Sequence, residues 1–499
     1  MHPVSVREHP GTQLNSFFDT TAIASCIASW LPAARWYAAK GLPLERITIE
    51  ELLVIPRAQQ PTALAIVSIA QQNTPDHSSA YLIPLSAEVD ELSEHVGLHD
   101  AALSPTFAAW LIGLAFEQRS ESARVGSFVG HATACSLHER IPANCLPEIT
   151  LLGGDASNTS LAVRWGECRL IVKLLRRCRA GIQPEVDIGL FFAEQTGWQG
   201  TPRLMGWVEY VAHDDAHSAT VIATVHEFFD GCVSAWDRLA DLLSVGVLAT
   251  SRDGIAIATP QVVSLVESLG RTSGQMHRAL AARSDIPAFA PQAESALARQ
   301  LTASHMEEQA RQIFASAAAQ LSQLPIPIAT RLRDCIANSE RLIQRLQHYA
   351  AFQSSALALR VHGDYHLGQV LVAPGDARLF VIDFEGEPSR SLQERCAQKS
   401  VLKDVAGMCR SFDYLLRSVA KQVGHAYSPQ DLLFLEQCFL SGYREIAIGQ
   451  PWWPSDPQEV ASLLAIYKLD KALYELAYEL HNRPEWIDVP LAAIESLGA

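Results

Sequence analysis

Two short apolar segments that each lead to an aspartate constrain this chain more than any other feature. The first runs into His362-Gly363-Asp364 and continues to Gln369, and the second ends at Asp383. Phosphoryl transfer from a nucleoside triphosphate requires a carboxylate that orients the attacking hydroxyl, and oxygen ligands for Mg²⁺. The joint spacing therefore predicts Asp364 as general base, with Gln369 and Asp383 as metal ligands. The alternative for Asp364 and Gln369 is an ordinary polar loop role.

A further acid, Glu385, follows Asp383 at a spacing that returns a side chain to the same face of an extended chain. It is predicted as a second ligand of the metal or of metal-bound water. A structural acid held in a salt bridge is the alternative, and both interpretations stay open. Glu387, two residues further on, is predicted to be structural.

Lys173 interrupts the otherwise apolar strand Ile171–Leu174. A lysine in such a strand either extends its amine to solvent or meets anions. We predict that Lys173 binds the α- and β-phosphates of a nucleotide and pairs with an acid on the following helix. Asp187 is favoured as that acid over Glu185.

A glycine-containing turn at residues 153–160 precedes the lysine strand. Glycines let backbone N–H groups approach phosphates, and Ser157, Asn158 and Thr159 add side-chain donors, so these three are predicted nucleotide contacts. The turn matches neither the Walker A nor the G-x-G-x-x-G pattern. Only its position favours phosphate binding over a plain hairpin.

The order of strand, turn, strands with Lys173, helix and further strands is that of a kinase small lobe. Glu227 and Phe228 lie near the end of the last of these strands, predicted over residues 219–229. They are therefore predicted to contact adenine. The segment that joins the two lobes of a kinase binds adenine through its backbone groups, so the identity of its side chains is uninformative.

Beyond residue 232 the pattern becomes helical, with predicted helices over about 260–283, 289–322, 327–354, 404–423, 428–448 and 456–482. The last helix carries a polar and aromatic stripe on one face: Lys471, Glu475, Tyr478 and Glu479. A solvated helix face and a sugar-binding surface both explain such a stripe.

Three polar residues elsewhere in this helical region have possible site roles. His366 and Arg410 are candidate sugar contacts, although Arg410 could instead pair with a nearby acid. Asp404 opens a predicted helix and is interpreted first as its N-cap.

These patterns predict an α+β protein in three parts. An N-terminal α/β cap domain occupies residues 1–90. A connecting segment and a small β-rich lobe, with Lys173, occupy residues 91–231. A large helical lobe with the catalytic loop, the metal ligands and the sugar site occupies residues 232–499.

Composition excludes some partners. A net charge of −15 argues against a nucleic-acid-coating surface, which requires excess basic residues. The ten cysteines show no C-x₂₋₄-C spacing, which predicts free thiols in a reducing compartment rather than a zinc site. The apolar run at residues 22–31 is too short and too polar to span a bilayer. We therefore expect a cytoplasmic protein with no membrane partner.

Longer strings resemble a known family. They are HGDYHLGQVL from His362, DFEGEP from Asp383, KDVAGMCRSFDY from Lys403 and ELAYELHNRPEW from Glu475. With His362-Gly363-Asp364 they resemble the aminoglycoside phosphotransferase branch of the eukaryotic-like kinases, and within it the bacterial maltokinases. The segment Arg35–Gly41 is similar to the cap-domain motif of that family.

The resemblance implies a bilobal protein-kinase-like fold behind the cap domain. It implies transfer from ATP, with Mg²⁺, to maltose, giving maltose 1-phosphate, and an association with trehalose, maltose and glycogen enzymes. It implies Asp364 as base, Gln369 and Asp383 as Mg²⁺ ligands, Lys173 on the phosphates, and a sugar site near Arg410 and Glu475–Glu479.

Some residues depart from the family pattern, and other functions stay open. Asp187, which is shorter than a glutamate, stands at the ion-pair position. Asp155-Ala156 depart from the family pattern in the turn, and Tyr37-Ala38 depart from it in the cap motif. A kinase for another sugar or an amino sugar such as glucosamine is the first alternative. A non-catalytic kinase-like regulator and an aminoglycoside-resistance kinase are weaker ones.

Overall fold

The computed structural model describes residues 20–37, 43–56, 60–71, 79–89, 96–136, 141–142, 145–153, 157–214, 219–249, 258–352, 354–376, 378–388, 390–424 and 427–498. The chain divides into two compact units, one of residues 1–193 and 202–230, the other of residues 194–201 and 231–499. The first unit holds the segment predicted as cap domain and most of the segment predicted as small lobe. Residues 38–41 of the cap motif and 154–156 of the predicted phosphate turn lie outside the described residues.

The first unit is built mainly from strands. In chain order its elements are α1 (Thr20–Trp30), β1 (Leu44–Val54), β2 (Thr62–Gln71), β3 (Ser79–Val89), β4 (Val96–Asp100), α2 (Pro105–Phe116), β5 (Ser120–Ser122), β6 (Gly126–Ala132), β7 (Glu148–Leu151), β8 (Thr159–Trp165), β9 (Cys168–Leu174), β10 (Arg177–Cys178), α3 (Pro184–Leu190), β11 (Leu204–Ala212) and β12 (Thr220–Glu227).

One antiparallel sheet has the order β1-β2-β3-β10, and β4 also pairs with β3. Its central strand β2 is apolar on both faces. Val67 and Ile69 pack in a cluster with α1, whereas Leu64 and Ile66 pack in a second cluster with α2. Successive side chains of a strand point to opposite faces, so a strand covered on both sides has a continuous apolar run.

A second antiparallel sheet has the order β5-β6-β11-β12-β9-β8-β7. The lysine strand β9 lies inside it, where Lys173 is in register with Ser160 of β8 and Thr224 of β12. Ser160, at the end of the predicted turn, thereby lies next to Lys173 on the neighbouring strand.

A buried carboxylate joins the two sheets of the first unit. Glu51 of β1 is fully buried, and its oxygens accept the N–H groups of Arg124, Val125 and Gly126 at 3.0, 2.8 and 2.8 Å. The Tyr210 hydroxyl of β11 donates to it at 3.1 Å. Each donor removes part of the desolvation penalty of this buried charge.

The second unit is mainly helical. Its elements are β13 (Val233–Ser234), α4 (Ala235–Ala249), α5 (Pro260–Leu280), α6 (Ala296–Gln320), α7 (Ile326–Ala337), α8 (Ser339–Gln347), β14 (Val370–Val372), β15 (Leu379–Val381), α9 (Leu392–Cys396), α10 (Leu402–Val423), α11 (Pro429–Ala447), α12 (Pro457–Asn482) and α13 (Asp488–Gly498). Helices α5 and α11 approach closely. A Cβ atom on Gly270 would lie 2.0 Å from the Phe439 carbonyl oxygen, so that position requires glycine.

The small sheet β13-β14-β15 positions two predicted metal ligands, Gln369 and Asp383. Gln369 comes directly before β14, and Ile382 directly after β15. The hairpin pairs Val370 with Val381, and the Ile382 N–H donates to the Gln369 carbonyl oxygen at 2.9 Å. The residues that flank this short hairpin therefore meet at one of its ends.

Two sheets in one unit and a helical second unit confirm the predicted α+β class. The strand that carries Lys173 and the predicted strand over residues 219–229 are present as β9 and β12, with bounds that differ by a few residues. Several elements were not predicted, namely α2, β4, β5, β6, β10, β11, β13, α4, α9 and α13. Residues 359–361, in the apolar segment that runs into His362, form only a single bridge, at Leu359. Among the described residues, no helix has the length and apolarity needed to cross a bilayer.

Candidate active site

The loop that carries Asp364 is fastened by a buried aspartate. Asp404 is 1% exposed, and its two carboxylate oxygens accept the N–H groups of His362 at 2.8 Å and Gly363 at 2.9 Å. Helix α10 begins at Leu402 with Val401 as N-cap, so the predicted N-cap role of Asp404 is wrong. Its carboxylate caps the loop that carries Asp364 rather than its own helix.

His277 of α5 extends this anchor. Its Nε2 lies 3.0 Å from Asp404 Oδ2, and its Nδ1 lies 2.6 Å from the Tyr443 hydroxyl. Burial opposes ionisation of Asp404, but the contact with His277 holds the pKa of its carboxyl below the ordinary value. Sequence reasoning missed His277, because a single histidine within a helical pattern gives no signal of such a role.

Asp364 forms an ion pair with Lys471 of α12. Lys471 Nζ lies 2.8 Å from Asp364 Oδ1 and 3.3 Å from Glu387 Oε1. Burial opposes ionisation of Asp364, but the ammonium group of Lys471 lowers the pKa of its carboxyl. Asp364 is therefore a carboxylate at neutral pH, which is the form that accepts a proton from a hydroxyl.

Glu387 joins this ion pair to further cations. Its Oε2 accepts from Arg390 Nε at 2.8 Å and from Lys403 Nζ at 3.3 Å. Although burial raises the pKa of Glu387, Lys403, Lys471 and Arg390 hold it well below its ordinary value. The residue predicted as structural thus positions the lysine that contacts Asp364.

A cavity opens beside Asp364. It is lined by Gly363, Asp364, Tyr365, Glu387, Lys403, Gly407, Tyr467, Asp470 and Lys471. The lining combines cationic, anionic and hydroxyl groups, which suits a polyhydroxylated ligand better than an apolar one. Among these side chains, sequence reasoning selected only Asp364 and Lys471 for the site. Asp470 and Tyr467 occupy other positions of the same helix as Lys471, and only the packing shows that they line this cavity.

Asp383 lies at the end of β15 in a conformation that few residues adopt. Its φ is +67°, in the left-handed region. Such strain is maintained only where the surroundings impose it, and it is frequent at functional sites. Here the backbone is held by the Ile382 carbonyl oxygen, which lies 2.8 Å from His362 Nε2.

The three predicted metal ligands meet in the second unit. Gln369 Nε2 donates to Asp383 Oδ2 at 2.7 Å, and carboxylate oxygens of Asp383 and Glu385 lie within 4.8 Å of one another. Two carboxylates and an amide are the oxygen donors that Mg²⁺ prefers, so the set fits this ion. The Gln369 amide presents its nitrogen to Asp383 here, so ligation through its oxygen requires the amide to turn.

In the first unit, Lys173 pairs with Glu185, not with Asp187. Lys173 Nζ lies 3.2 Å from Glu185 Oε2, and both side chains are buried. Helix α3 begins at Pro184, and residues two apart on a helix point to nearly opposite sides. Only one of the two acids can therefore face Lys173. Burial opposes ionisation of Glu185, but Lys173 lowers the pKa of its carboxyl.

The predicted nucleotide contacts of the first unit have definite positions. Asn158 and Thr159 are buried, Ser157 is partly buried, and Thr159 begins β8. The N–H groups of Glu227 and Phe228 donate to the carbonyl oxygens of Arg203 and Arg169, both at 3.0 Å. Those two N–H groups are thus occupied within the sheet, so an adenine contact at these residues would have to use other groups.

Two of the predicted sugar residues, Arg410 and Glu475, bind each other. Arg410 is 2% exposed and donates to Glu475 Oε2 at 2.8 and 3.0 Å and to Asp413 Oδ2 at 2.6 Å. Arg410 therefore pairs with nearby acids, which was the alternative to a sugar contact. Glu475 neutralises a buried guanidinium instead of lining the cavity beside Asp364.

The remaining predicted sugar residues are also dispersed. Glu479 accepts from the Tyr414 hydroxyl at 3.1 Å and from Arg483 at 2.6 and 2.9 Å. Tyr478 is 44% exposed, with the Arg483 guanidinium 5.3 Å from its ring centre. His366 Nδ1 accepts the Gly368 N–H at 3.0 Å, and burial lowers the pKa of its imidazole.

A neighbouring cavity contains a lysine with an unusual pKa. Lys399 lines it together with Glu387, Arg390 and Lys403. Burial, together with the positive charges of Lys403 and Arg390, lowers the pKa of Lys399 from 10.5 to about 7. In the folded protein the charged form of the Lys399 amine is therefore less favourable than it is in the unfolded chain.

We expect Lys399→Met to stabilise the protein in a pH-dependent way. At and below pH 7 the wild type carries the full penalty of a partly buried charge. Between about pH 7 and 10.5 the folded lysine is neutral while the unfolded one is protonated, so stability rises with pH. The gain in unfolding free energy from the substitution should therefore be largest near neutral pH and shrink towards alkaline pH.

Urea unfolding of both proteins at several pH values measures this effect. Lys421→Met, at an exposed lysine, is the matched control and should give no such trend. A gain from Lys399→Met that is constant with pH would contradict the assignment.

Two segments of the chain match known protein families. Residues 148–437 match the phosphotransferase enzyme family, and residues 30–123 match the maltokinase N-terminal cap domain. A glucosamine kinase of Streptacidiphilus jiangxiensis is 26% identical over 348 residues, covering 69% of this chain and 72% of its own. A glucosamine kinase of Mycolicibacterium smegmatis is 27% identical over 307 residues, covering 60% and 68%.

Solved structures show the same fold. A glucosamine kinase in complex with glucosamine, ADP and inorganic phosphate aligns with a TM-score of 0.61 at 20% identity, covering 95% of this chain and 98% of that one. Crystal form B of a glucosamine kinase aligns with a TM-score of 0.64, also at 20% identity, covering 95% and 99%. The likeness extends over nearly the full length of both chains.

Proposed function

Because this chain belongs to the phosphotransferase enzyme family, we propose that it is an ATP-dependent sugar kinase, with maltose as the favoured acceptor and maltose 1-phosphate as product. The observation that carries the proposal is the ionised Asp364 in a polar cavity, held by Lys471 in the same unit as Asp383 and Gln369. A base, a metal-ligand set and polar groups that can bind an acceptor are the parts that phosphoryl transfer needs.

Each residue has one role in the proposed reaction. A sugar hydroxyl donates a hydrogen bond to Asp364, which orients it and takes its proton as the hydroxyl oxygen bonds to the γ-phosphorus of ATP. The bond from that phosphorus to the β,γ-bridging oxygen breaks at the same time, and ADP leaves. Lys471 keeps Asp364 ionised until then, and Glu387 keeps Lys471 in place. Asp383, Gln369 and Glu385 would hold Mg²⁺, which would neutralise charge on the phosphates. Lys173, positioned by Glu185, would bind the nucleotide phosphates.

Maltose is favoured by the N-terminal part of the chain, since residues 30–123 match the maltokinase cap domain. Glucosamine is the second candidate, because both relatives described above are glucosamine kinases. An ammonium substituent requires a carboxylate partner. Glu475 and Glu479 are bound to arginines, so Glu387 or Asp470 of the cavity would have to supply it.

A coupled assay of ADP release over maltose, glucose, glucosamine and kanamycin tests the proposal. Phosphorus and proton NMR of the product then identify the phosphorylated position. Sugar-dependent ADP release with a phosphorylated sugar as product is the expected result. If no sugar increases ATP consumption and none is phosphorylated, the proposed function is wrong.

We expect Glu185→Gln to raise the KM for ATP about tenfold, as expected for the loss of one charge-assisted hydrogen bond. Lys173 would lose the carboxylate that fixes its ammonium group. Asp187→Asn, on the same helix, is the matched comparison and should have the smaller effect. Steady-state kinetics with varied ATP measure both effects. A larger effect of Asp187→Asn would contradict the role of Glu185 and support Asp187 as the partner of Lys173.

A further inference from the structure

A chain of three polar side chains leads from the start of α6 to the cavity beside Asp364. The Tyr349 hydroxyl donates to Glu294 Oε1 at 3.2 Å and to Glu294 Oε2 at 3.0 Å. The same hydroxyl lies 2.9 Å from the Tyr467 hydroxyl. Tyr349 and Tyr467 are 3% and 4% exposed, so their hydroxyl groups find their partners in this chain rather than in bulk water.

The surroundings of Glu294 favour its ionised form. Glu294 directly precedes Ser295, the N-cap of α6, and the N-terminal end of a helix dipole stabilises a negative charge. Burial raises the pKa of the Glu294 carboxyl, but the hydrogen bond from Tyr349 and the positive charge of Arg299 oppose that rise. A carboxylate has no proton to donate, so Glu294 only accepts hydrogen bonds.

The Glu294 carboxylate fixes the direction of both hydrogen bonds in the chain. The single proton of the Tyr349 hydroxyl points to Glu294, so the Tyr349 oxygen can only accept from Tyr467. The Tyr467 proton therefore points to Tyr349. The Tyr467 oxygen has no second proton, so it can only accept a hydrogen bond from any further group.

Tyr467 belongs to the cavity that contains Asp364. It precedes Lys471 by four residues on α12, so the two side chains lie on one face of that helix, and Lys471 contacts Asp364. All three residues line the cavity. Among the described residues that line it, neither Tyr349 nor Glu294 appears, so both can affect a ligand there only through Tyr467.

We propose that Glu294, acting through Tyr349, holds the Tyr467 hydroxyl as a hydrogen-bond acceptor for one O–H or N–H group of the sugar. Tyr467 is then a specificity-determining residue, and Glu294 and Tyr349 are positioning residues. A substituent that cannot donate a hydrogen bond is rejected, because it leaves a buried acceptor unpaired. The inference rests on the proposed function, since it concerns the binding of the acceptor sugar.

Urea unfolding tests the chain itself in the protein without ligands. Tyr349→Phe, Tyr467→Phe and the double variant form a double-mutant cycle. Their losses of unfolding free energy should be non-additive, because both changes remove the same hydrogen bond. Tyr427→Phe is the matched control and should combine additively with Tyr349→Phe, since its hydroxyl donates to Asp413 in a different hydrogen-bonded group.

Fluorinated sugars test the direction of the hydrogen bonds, because a C–F group cannot donate. The probes are maltose, or glucosamine if that is the acceptor, and its derivatives with one hydroxyl replaced by fluorine. The measured quantity is the ratio of kcat/KM for the parent sugar to kcat/KM for each derivative. At one position this ratio should be about tenfold larger in the wild type than in Tyr349→Phe, in which the Tyr467 proton becomes free to meet the fluorine.

Glu294→Gln tests the origin of that direction. The glutamine amide can donate to Tyr349 and so permits the reversed chain, which should lower the ratio in the same sense as Tyr349→Phe. Tyr427→Phe should keep the wild-type ratio. A general loss of structure would lower kcat/KM for parent and derivative alike and leave the ratio unchanged.

The outcomes separate this inference from the proposed function. Additive losses in the Tyr349 and Tyr467 cycle would overturn the chain whatever the enzyme does. If sugars are phosphorylated but every ratio is the same in the wild type and Tyr349→Phe, only the inference is wrong. If the wild type phosphorylates no sugar, the proposed function fails and the role of Tyr467 fails with it, even where the unfolding cycle is non-additive.

Discussion

Asp364→Asn is expected to lower kcat by about 10³-fold or more, as for other essential catalytic groups, with little change in the affinity for ATP. An amide cannot take the proton of the attacking hydroxyl. It has nearly the size of the carboxylate, and Lys471 retains its contact with Glu387, so the cavity should keep its shape. The coupled assay gives kcat, and calorimetry with ADP and Mg²⁺ gives nucleotide affinity.

The same substitution at an aspartate outside the site is the control for this prediction. Asp334→Asn alters an exposed aspartate of α7 and should leave both kcat and nucleotide affinity at the wild-type values. If Asp364→Asn retains near-normal turnover, Asp364 is not the base. If it loses nucleotide affinity as well, the carboxylate acts on the nucleotide rather than on the acceptor.

Asp404→Ala is expected to have the second largest effect, on stability and turnover together. It would leave the buried N–H groups of His362 and Gly363 without their acceptor and His277 without its partner. Removing one member of a buried hydrogen-bonded network typically destabilises by about 3–5 kcal/mol. Because misplacement of a catalytic group by about 1 Å can lower the rate about 100-fold, kcat should fall by at least that factor.

Asp413→Ala is the matched control for that prediction. Asp413 lies on the same helix, is also buried, and binds Arg410, Arg417 and the Tyr427 hydroxyl. It should lose comparable stability while the kcat of the folded protein changes little. Urea unfolding and turnover, measured at a temperature where both variants are folded, separate the two effects. Equal kcat values for the two variants would show that Asp404 has no special relation to the loop.

The elements around the active site could be predicted where the pattern is local. The apolar strand that leads to Asp383 and the helical periodicity of α10, α11 and α12 depend on neighbouring residues, and the structure contains them at nearly the predicted bounds. The meeting of Gln369 with Asp383 also follows from the chain itself, because a short hairpin joins β14 to β15.

The partners of charged side chains could not be predicted in the same way. Asp404 has the local pattern of an N-cap, and only the packing of α10 against the loop turns its carboxylate to His362. Glu475 and Glu479 form a regular stripe, but each faces an arginine whose position depends on tertiary packing. The choice between Glu185 and Asp187 depends on where α3 begins, and sequence alone rarely fixes that to a residue.

The pairing of β10 with β3 means that the cap cannot be exchanged as an N-terminal module. Residues 177–178 form β10, which belongs to the sheet β1-β2-β3-β10 although it follows the lysine strand β9 in sequence. Removing residues 20–100 would therefore leave β10 without its neighbour β3, and Arg176 without the Asp100 carboxylate. A chimaera that borrows a relative's first hundred or so residues would need that relative's versions of Arg176 and β10 as well. Grafting experiments should therefore transfer both pieces of sequence together.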